Sequence, residues 1–272
     1  MLSFPNAKIN LGLNIVEKRP DGFHNIETIF YPVGLKDALE FVVMEDDKPT
    51  SLSISGIKVE GDIQNNLVLK AYHLLRNDLD LPPLAIYLQK HIPLGAGLGG
   101  GSADAAFMLL MLNKTFELNL SDAALKNYAS KLGSDCPFFI ENKPVFASGK
   151  GEEMKTVDIS LKGYFLVIIK PDIHIDTKEA YSLCNPEKPT VSLSEIINKP
   201  IEDWKEIMKN DFEDSIFLNY PEIKNIKDKL YEEGAIYASM SGSGSSVFGI
   251  FESQKALKNH FPACSIWQGK LD

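Results

Sequence analysis

The glycine run within residues 93–106, which read PLGAGLGGGSADAA, has the composition of a phosphate-binding loop. Five of the seven positions from Gly95 to Gly101 are glycine. A strand pattern precedes the run and a hydrophobic helix pattern follows it, so free backbone N–H groups and the positive end of a helix dipole would face an anion. A flexible linker is the plain alternative, but linkers are not usually flanked by two hydrophobic elements. The run therefore predicts a phosphate cradle.

Two known phosphate motifs fit this run incompletely. Gly95, Gly97 and Gly100 satisfy the G-x-G-x-x-G spacing of dinucleotide-binding folds. The ribose-binding acid expected about 20 residues later would fall near Glu117, in a stretch typical of a loop and a helix start. The P-loop spacing also fits, but Gly101 occupies the position of that motif's lysine. The protein-kinase signatures H-R-D and D-F-G do not occur.

Two other segments carry side chains that could do chemistry. The stretch AKINLGLNI at 7–15 alternates strictly, which predicts a half-buried strand with Lys8 and Asn10 on its polar face. Asp135 stands two residues before Pro137, at the start of a new element. From the residues alone, Lys8 is most simply a solvated lysine, and Asp135 is as well explained by helix capping as by catalysis.

The surrounding pattern mixes helices with hairpin-like strands and has no regular βαβ rhythm, which favours an α+β fold. Helices are predicted over 65–79, after the glycine run with Ser102 as its N-cap, and over 121–132. A glycine-rich, charged stretch at 148–163 is the candidate boundary between domains 1–155 and 156–272.

Composition excludes several classes of function. The 272 residues carry a net charge of −9, and arginine occurs only as Arg19 and Arg76, so no basic face for nucleic acid or acidic membranes is expected. The three cysteines, Cys136, Cys184 and Cys264, lack a metal or disulfide spacing. Without a leader or membrane-span pattern, we expect a cytoplasmic protein. The sequence leaves its oligomeric state open.

Together, the glycine run, AKINLGLNI and the late segment SMSGSGSSVFGIF at 239–251 resemble the three motifs of the GHMP small-molecule kinases. The extended first motif, AKINLGLNIVEKRPDGFHNIETIF, and LGSDCPFF resemble the branch of that family that acts on a cytidyl diphosphate of methylerythritol. The resemblance covers nearly the whole chain. It implies an N-terminal domain like ribosomal protein S5 domain 2 and a ferredoxin-like C-terminal domain.

The resemblance also implies an activity and a set of site residues. The expected reaction is ATP-dependent phosphorylation of the substrate's 2-hydroxyl, in the non-mevalonate route to isopentenyl diphosphate, with Mg2+ as cofactor. The resemblance implies catalytic roles for Lys8 and Asp135. It implies substrate-binding roles for Asn10, Phe23, His24 and Thr177. Many family members have tyrosine at the position of Phe23, so a hydroxyl contact is lost while ring stacking remains.

For ATP, the resemblance implies a loop of backbone N–H donors, two flanking residues and a bracing turn. The positions are Asn66, Lys90, Pro93, Leu94, Gly95, Ala96, Gly97, Leu98, Gly99, Gly100, Gly101, Ser102 and Ala103, with Ser102 also a candidate Mg2+ contact, and Ser241, Gly242, Ser243 and Gly244 in the third glycine motif. Another GHMP kinase, acting on homoserine, mevalonate or a sugar, and an inactive nucleotide-binding relative remain as alternatives. A dinucleotide-dependent oxidoreductase is a third.

Overall fold

The computed structural model describes residues 1–45, 47–59 and 61–271. Its strands are β1 (Leu2–Ser3), β2 (Asn6–Lys18), β3 (His24–Lys36), β4 (Ala38–Val43), β5 (Ser51–Gly56), β6 (Leu84–Lys90), β7 (Val145–Ser148), β8 (Glu153–Thr156), β9 (Phe165–Pro171), β10 (Tyr237–Met240), β11 (Val247–Phe251) and β12 (Cys264–Lys270). Its helices are α1 (Leu67–Asp78), α2 (Gly100–Thr115), α3 (Asp122–Ser130), α4 (Phe138–Glu141), α5 (Thr177–Ser182), α6 (Leu193–Ile196), α7 (Trp204–Ile207), α8 (Phe212–Asn219) and α9 (Pro221–Glu232).

This mixture of helices and largely antiparallel sheets confirms the α+β prediction. The predicted strand over 7–15 lies in β2, and the helices predicted over 65–79 and 121–132 are α1 and α3. The half-buried character predicted for 7–15 is wrong, because both faces of β2 are buried from Asn6 to Ile15. Its polar side chains are therefore enclosed by protein.

The chain divides into two compact units, each assembled from separated stretches. Unit 1 comprises Met1–Ala7, Leu35–Leu94 and Gly99–Lys143. Its sheet has the order β1-β4-β6-β5, in which β5 runs parallel to β6 and the other neighbours are antiparallel. The helix α2 packs against α1, α3 and α4. Burial on several sides explains why α2 is so rich in alanine, leucine and methionine.

Unit 2 comprises Lys8–Gly34, Gly95–Leu98 and the chain from Pro144 onward. It holds a sheet of order β10-β11-β9-β12, whose neighbouring strands are all antiparallel. A second sheet has the order β2-β3-β7-β8, and the part of its β2-β3 hairpin over residues 8–34 belongs to unit 2. Side chains from β9, β10 and β11 and from helices α8 and α9 form the core of this unit. The predicted boundary near residue 155 divides the chain in sequence order and stays a prediction.

Candidate active site

The first half of the glycine run, Gly95–Leu98, lies in unit 2 and packs backbone to backbone against the turn at Ser241–Gly244. A Cβ atom on Gly97 would lie 1.7 Å from the Ser241 carbonyl oxygen, and one on Gly244 would lie 2.2 Å from the Gly97 nitrogen. No side chain fits at either position, because real Cβ atoms do not approach other atoms so closely. The two glycine motifs therefore need glycine in order to contact each other.

The Ser241 side chain joins these motifs to β2. Its hydroxyl donates to the Gly97 carbonyl oxygen at 2.8 Å and accepts from the Asn10 backbone N–H at 3.2 Å. The Ser241 backbone N–H donates to the Ser246 carbonyl at 2.9 Å and closes the turn between β10 and β11. The third glycine motif is thus both a hairpin turn and a brace for the loop.

Lys8 is buried against the loop rather than solvated. Only 4% of its surface is exposed. Its Nζ donates to Asn10 Oδ1 at 2.6 Å and to the Gly97 carbonyl at 3.0 Å, and lies 4.7 Å from the centre of the Phe30 ring. The Lys8 backbone N–H donates to the Leu98 carbonyl at 3.0 Å. Burying an ammonium group is costly, so its fixed place beside the loop indicates a use for the charge.

Asn10 orients this lysine. Its Nδ2 donates to Thr28 Oγ1 at 2.9 Å, and the Thr28 hydroxyl donates to the Gly12 carbonyl at 2.6 Å. This chain of donors makes Asn10 Oδ1 the acceptor that faces Lys8. Both the oxygen and the nitrogen of the Asn10 amide are therefore hydrogen-bonded to protein groups. The substrate contact predicted for Asn10 stays a prediction.

The loop also presents unused donors. Across residues 1–45, 47–59 and 61–271, the backbone N–H groups of Gly97 and Leu98 donate to no protein atom. Gly97 has φ 76°, a left-handed conformation that aims successive N–H groups toward one side. These N–H groups fit the oxygens of a phosphate.

The second half of the run starts α2 in unit 1. Gly99, with φ 69°, is the N-cap, and the Ala103 N–H donates to the Gly99 carbonyl at 2.9 Å. The prediction of Ser102 as the N-cap is wrong, because the left-handed glycine lets the helix begin three residues earlier. Since a first helical turn has no intrahelical acceptors for its N–H groups, those of Gly100–Ser102 are oriented for an anion.

A buried ion-pair cluster lies beneath this helix start. Lys90 Nζ pairs with Asp37 Oδ2, and with Asp104 Oδ2 at 2.7 Å. Asp37 Oδ1 also accepts the backbone N–H groups of His91 at 2.5 Å and Ile92 at 2.8 Å. The cluster ties the end of β6 to the first turn of α2. The predicted nucleotide contact at Lys90 thus sits on a side chain already paired with two carboxylates, and sequence reasoning missed Asp37.

Burial raises the pKa of Asp104 to about 7, with a further upward contribution from Asp37 against the opposing effect of Lys90. Asp104 Oδ1 is buried and has no hydrogen-bond partner in the described part of the chain. The cluster holds two carboxyl groups and one ammonium group, so a protonated Asp104 gives it a net charge of zero.

Ser102 lies beside the turn that carries Asp135. Its hydroxyl lies near the thiol of Cys136. Burial raises the pKa of that thiol to about 11, so the thiol stays protonated. Asp135 is half-buried, and the N-cap of α4 is Pro137. Helix capping therefore does not explain Asp135. Asn66, by contrast, is the N-cap of α1 through an Oδ1 that accepts the Val68 N–H at 2.9 Å.

An aromatic pair in unit 2 includes one predicted residue and one that sequence reasoning missed. The His24 ring stacks on Tyr181 with 4.9 Å between centroids and 16° between planes. Burial, with a smaller effect of Lys18, lowers the pKa of His24, so its imidazole is neutral at pH 7. Tyr181 is four residues after Thr177 on α5, a spacing that places both on one helix face.

Phe23 and Thr177 are exposed, and each has one neighbour of note. Phe23 is 59% exposed, and Lys150 Nζ lies 5.1 Å from its ring centre. The Ser243 hydroxyl donates to Thr177 Oγ1 at 3.2 Å. The N-cap of α5 is Asp176, so capping does not account for Thr177.

The described residues lack a metal-binding cluster and a membrane-spanning helix. No group of three or more His, Cys, Asp or Glu side chains could hold a metal ion. No helix is long and apolar enough to cross a membrane.

Comparison with known proteins identifies the family. The chain matches the models described as GHMP kinases N terminal domain, over residues 66–143, and GHMP kinases C terminal, over 192–262. It is 56% identical to 4-diphosphocytidyl-2-C-methyl-D-erythritol kinase of Bacteroides fragilis, with all of both chains covered. A crystal structure of 4-(cytidine 5'-diphospho)-2C-methyl-D-erythritol kinase has a TM-score of 0.86 at 29% identity and covers 100% of this chain and 99% of that one.

The mevalonate kinase of Methanococcus jannaschii has a TM-score of 0.76 at 15% identity over 100% of this chain and 98% of that one, which shows a shared fold. These matches confirm the predicted two-domain GHMP kinase fold. The chain therefore belongs to the GHMP kinases and, within them, to the family of 4-diphosphocytidyl-2-C-methyl-D-erythritol kinases.

Proposed function

We propose that this GHMP kinase transfers the γ-phosphoryl group of ATP to the 2-hydroxyl of 4-diphosphocytidyl-2-C-methyl-D-erythritol. The observation that carries the proposal is the buried Lys8 ammonium, fixed on the carbonyl of Gly97 within the glycine loop. The reaction would belong to the non-mevalonate route to isoprenoid precursors. The cytoplasm remains the predicted location.

The loop supplies donors for the triphosphate. Free N–H groups at Gly97 and Leu98 and the first turn of α2 bind phosphate oxygens, and Asn66 and the rest of the loop line the nucleotide. Mg2+ would be bound mainly by phosphate oxygens, with Ser102 as a candidate protein ligand. When bound, the ion neutralises charge on the transferred group.

Asp135 is the proposed general base. As the bond from the substrate oxygen to the γ-phosphorus forms, the hydroxyl proton passes to the Asp135 carboxylate, and the bond from γ-phosphorus to the ADP oxygen breaks. Lys8 stabilises the negative charge that develops. Asn10 holds Lys8 in place, so we propose that it acts on the substrate through that lysine. Positioning and charge stabilisation supply most of the catalysis in phosphoryl transfer.

The cytosine base would be bound by aromatic rings. The exposed Phe23 presents a ring face, Tyr181 stacks on His24, and the neutral His24 has one nitrogen donor and one acceptor for the edge of a base. Thr177, on the same helix face as Tyr181, is the proposed hydroxyl contact to the substrate. Homoserine, mevalonate and galactose have no base to stack, so this aromatic set favours the cytidyl substrate.

The test is a substrate panel. The protein is mixed with Mg-ATP and 4-diphosphocytidyl-2-C-methyl-D-erythritol, homoserine, mevalonate or galactose, and ADP formation is measured. Only the cytidyl substrate should give turnover. ADP release with another member of the panel would assign a different GHMP activity, and none with any substrate would indicate an inactive nucleotide-binding relative.

Two variants test the assigned roles. Asp135→Asn should lower kcat by about 10²–10⁴-fold, the usual range for a general base, and should leave ATP binding largely intact. The matched control is Asp122→Asn, an exposed aspartate in the first turn of α3. Lys8→Ala should abolish turnover without unfolding the protein. Near-normal turnover in Asp135→Asn would remove the base from the mechanism.

A further inference from the structure

His174 lies against the first glycine of the loop. It occupies the stretch of unit 2 between β9 and α5. A Cβ atom on Gly95 would lie 2.8 Å from His174 Nδ1 and 2.9 Å from its Cε1. Gly95 has φ 61°, so the imidazole sits where a side chain at this position would point. The ring therefore packs directly on the loop backbone.

The residues on either side of His174 fix its position. The Ile173 carbonyl accepts hydrogen bonds from the Ser245 hydroxyl at 2.6 Å and from Lys170 Nζ at 2.9 Å. Ile175 is 2% exposed and belongs to the core of unit 2. His174 itself is exposed. Its backbone is thus anchored to the third glycine motif while its side chain faces solvent beside the loop.

The ring nitrogens have no structural task. In the part of the chain that the structure describes, no hydrogen bond or ion pair uses Nδ1 or Nε2 of His174. The adjoining loop has no lysine within its own sequence, and the chain has only two arginines. Two free N–H donors, from Gly97 and Leu98, lie two and three residues beyond Gly95. A further side-chain donor on the Gly95 side of the loop would add to these backbone donors in holding a bound polyphosphate.

We propose that His174 is a phosphate ligand of the glycine loop. One imidazole N–H donates to an oxygen of a phosphate that the N–H groups of Gly97 and Leu98 also bind. The proposal rests on the proposed function, in which two molecules carry polyphosphate: the nucleotide and the cytidyl diphosphate substrate. Both offer the same oxygen chemistry, so the experiment separates them.

The experiment compares His174→Ala, His174→Asn and His174→Gln. An asparagine amide can replace a donor at Nδ1, and a glutamine amide can replace one at Nε2. The matched control is His73→Ala, which removes an exposed histidine from α1. Calorimetry gives Kd for ADP and for adenosine, and steady-state kinetics gives KM for ATP and for the cytidyl substrate. Melting temperatures show whether each variant folds.

A charged hydrogen bond corresponds to about a tenfold or larger loss of affinity. If the ligand is the nucleotide phosphate, His174→Ala weakens ADP binding and raises KM for ATP by that factor, with adenosine binding unchanged. If it is the substrate diphosphate, KM for the cytidyl substrate rises instead. In either case one of the two amide variants should recover most of the loss, and His73→Ala should match the wild type.

Three results would overturn the proposal. Unchanged Kd and KM in His174→Ala would show that the ring touches no phosphate. Equal losses for ADP and adenosine would show a contact to the nucleoside. Equal defects in the alanine, asparagine and glutamine variants would show a packing role. If the wild type fails to turn over the cytidyl substrate, the proposed function fails, while ADP and adenosine binding still decide the role of His174.

Discussion

Gly97, in the first half of the glycine run, and Gly101, in the second half, are glycine for different physical reasons. At Gly97, with φ 76°, an added Cβ would lie 1.7 Å from the carbonyl oxygen of Ser241. At Gly101, within α2, the nearest atom to an added Cβ is Leu67 Cδ1 at 3.7 Å, which is an ordinary contact. Gly97 is therefore required by the fold itself. A requirement for glycine at 101 must come from a ligand.

The two halves are also anchored differently. Gly95–Leu98 is held by the Ser241 turn and by Lys8, through hydrogen bonds and backbone contact. The half that begins α2 is held from beneath by the ion pairs of Lys90 with Asp37 and Asp104. Substitutions at Gly97 and Gly101 should consequently separate effects on folding from effects on nucleotide binding.

Gly97→Ala should have the largest effect. The methyl group would overlap the Ser241 carbonyl, and alanine rarely adopts φ near +76°. We expect a loss of at least about 4 kcal/mol in the free energy of unfolding, in the range that marks exceptional substitutions. Urea denaturation measures it. Wild-type stability would show that the two glycine motifs do not pack as closely as described.

Lys90→Met should have the next largest effect. It leaves the carboxyl groups of Asp37 and Asp104 buried with no ammonium between them, and removing one partner of a buried ion pair costs about 3–5 kcal/mol. Adding Asp104→Asn to this variant should restore part of the stability, because only one buried carboxyl group then remains without an ammonium partner. Equal stability of the single and double variants would show that the Asp104 carboxyl group does not depend on the Lys90 ammonium.

Asp104→Asn alone should change how stability depends on pH. The pKa of Asp104 is raised in the folded protein to about 7 from 3.8, so the folded state binds more protons than the unfolded state between those values. This contribution is present below pH 3.8 and is lost as pH rises to 7. Replacing the carboxyl group with an amide should flatten the slope over that range, as denaturation at several pH values would reveal. A slope identical to that of the wild type would contradict the raised pKa.

Gly101→Ala should have the smallest effect on folding and a specific effect on binding. Alanine in a helix is favoured over glycine, so stability should stay the same or rise by about 0.5–1 kcal/mol. The new methyl group lies in the first turn of α2, where phosphate is proposed to bind. We expect weaker ADP binding with an unchanged or higher melting temperature. If ADP binding also stays unchanged, the ligand does not approach Gly101. The comparison with Gly97 would then give no evidence that Gly101 has a role in binding.

The sequence predicted the local elements well because each depends on near neighbours. Alternation located β2, and helical spacing located α1 and α3. The helix after the run was predicted, but its N-cap was placed at Ser102 instead of Gly99, because a serine usually signals a cap. The left-handed conformation of Gly99 outweighed that preference. The half-buried face expected for 7–15 was wrong because alternation describes one strand and cannot report what covers its polar side.

The residues of the candidate site likewise divide into those that the sequence predicted and those that only the structure revealed. Motif spacing alone pointed to Gly95–Gly101, and the resemblance added Lys8, His24 and Asp135. Sequence reasoning missed Tyr181, Asp37 and His174, which lie outside the motifs. Tyr181 carried a usable signal, since it follows Thr177 at helical spacing. Asp37 and His174 had none, because their partners are far along the chain or are backbone atoms.

By itself, the sequence determined the order of the elements, the glycine-rich loop and the membership of the family, since these are written in local composition and spacing. Only the tertiary structure decided why individual glycines are needed. The hydrogen bond from Ser241 to Gly97 spans 144 residues, and no local pattern encodes that contact. Close approach of two backbones depends on how distant segments fold together, and that packing separates the glycines that the fold requires from those left open to a ligand.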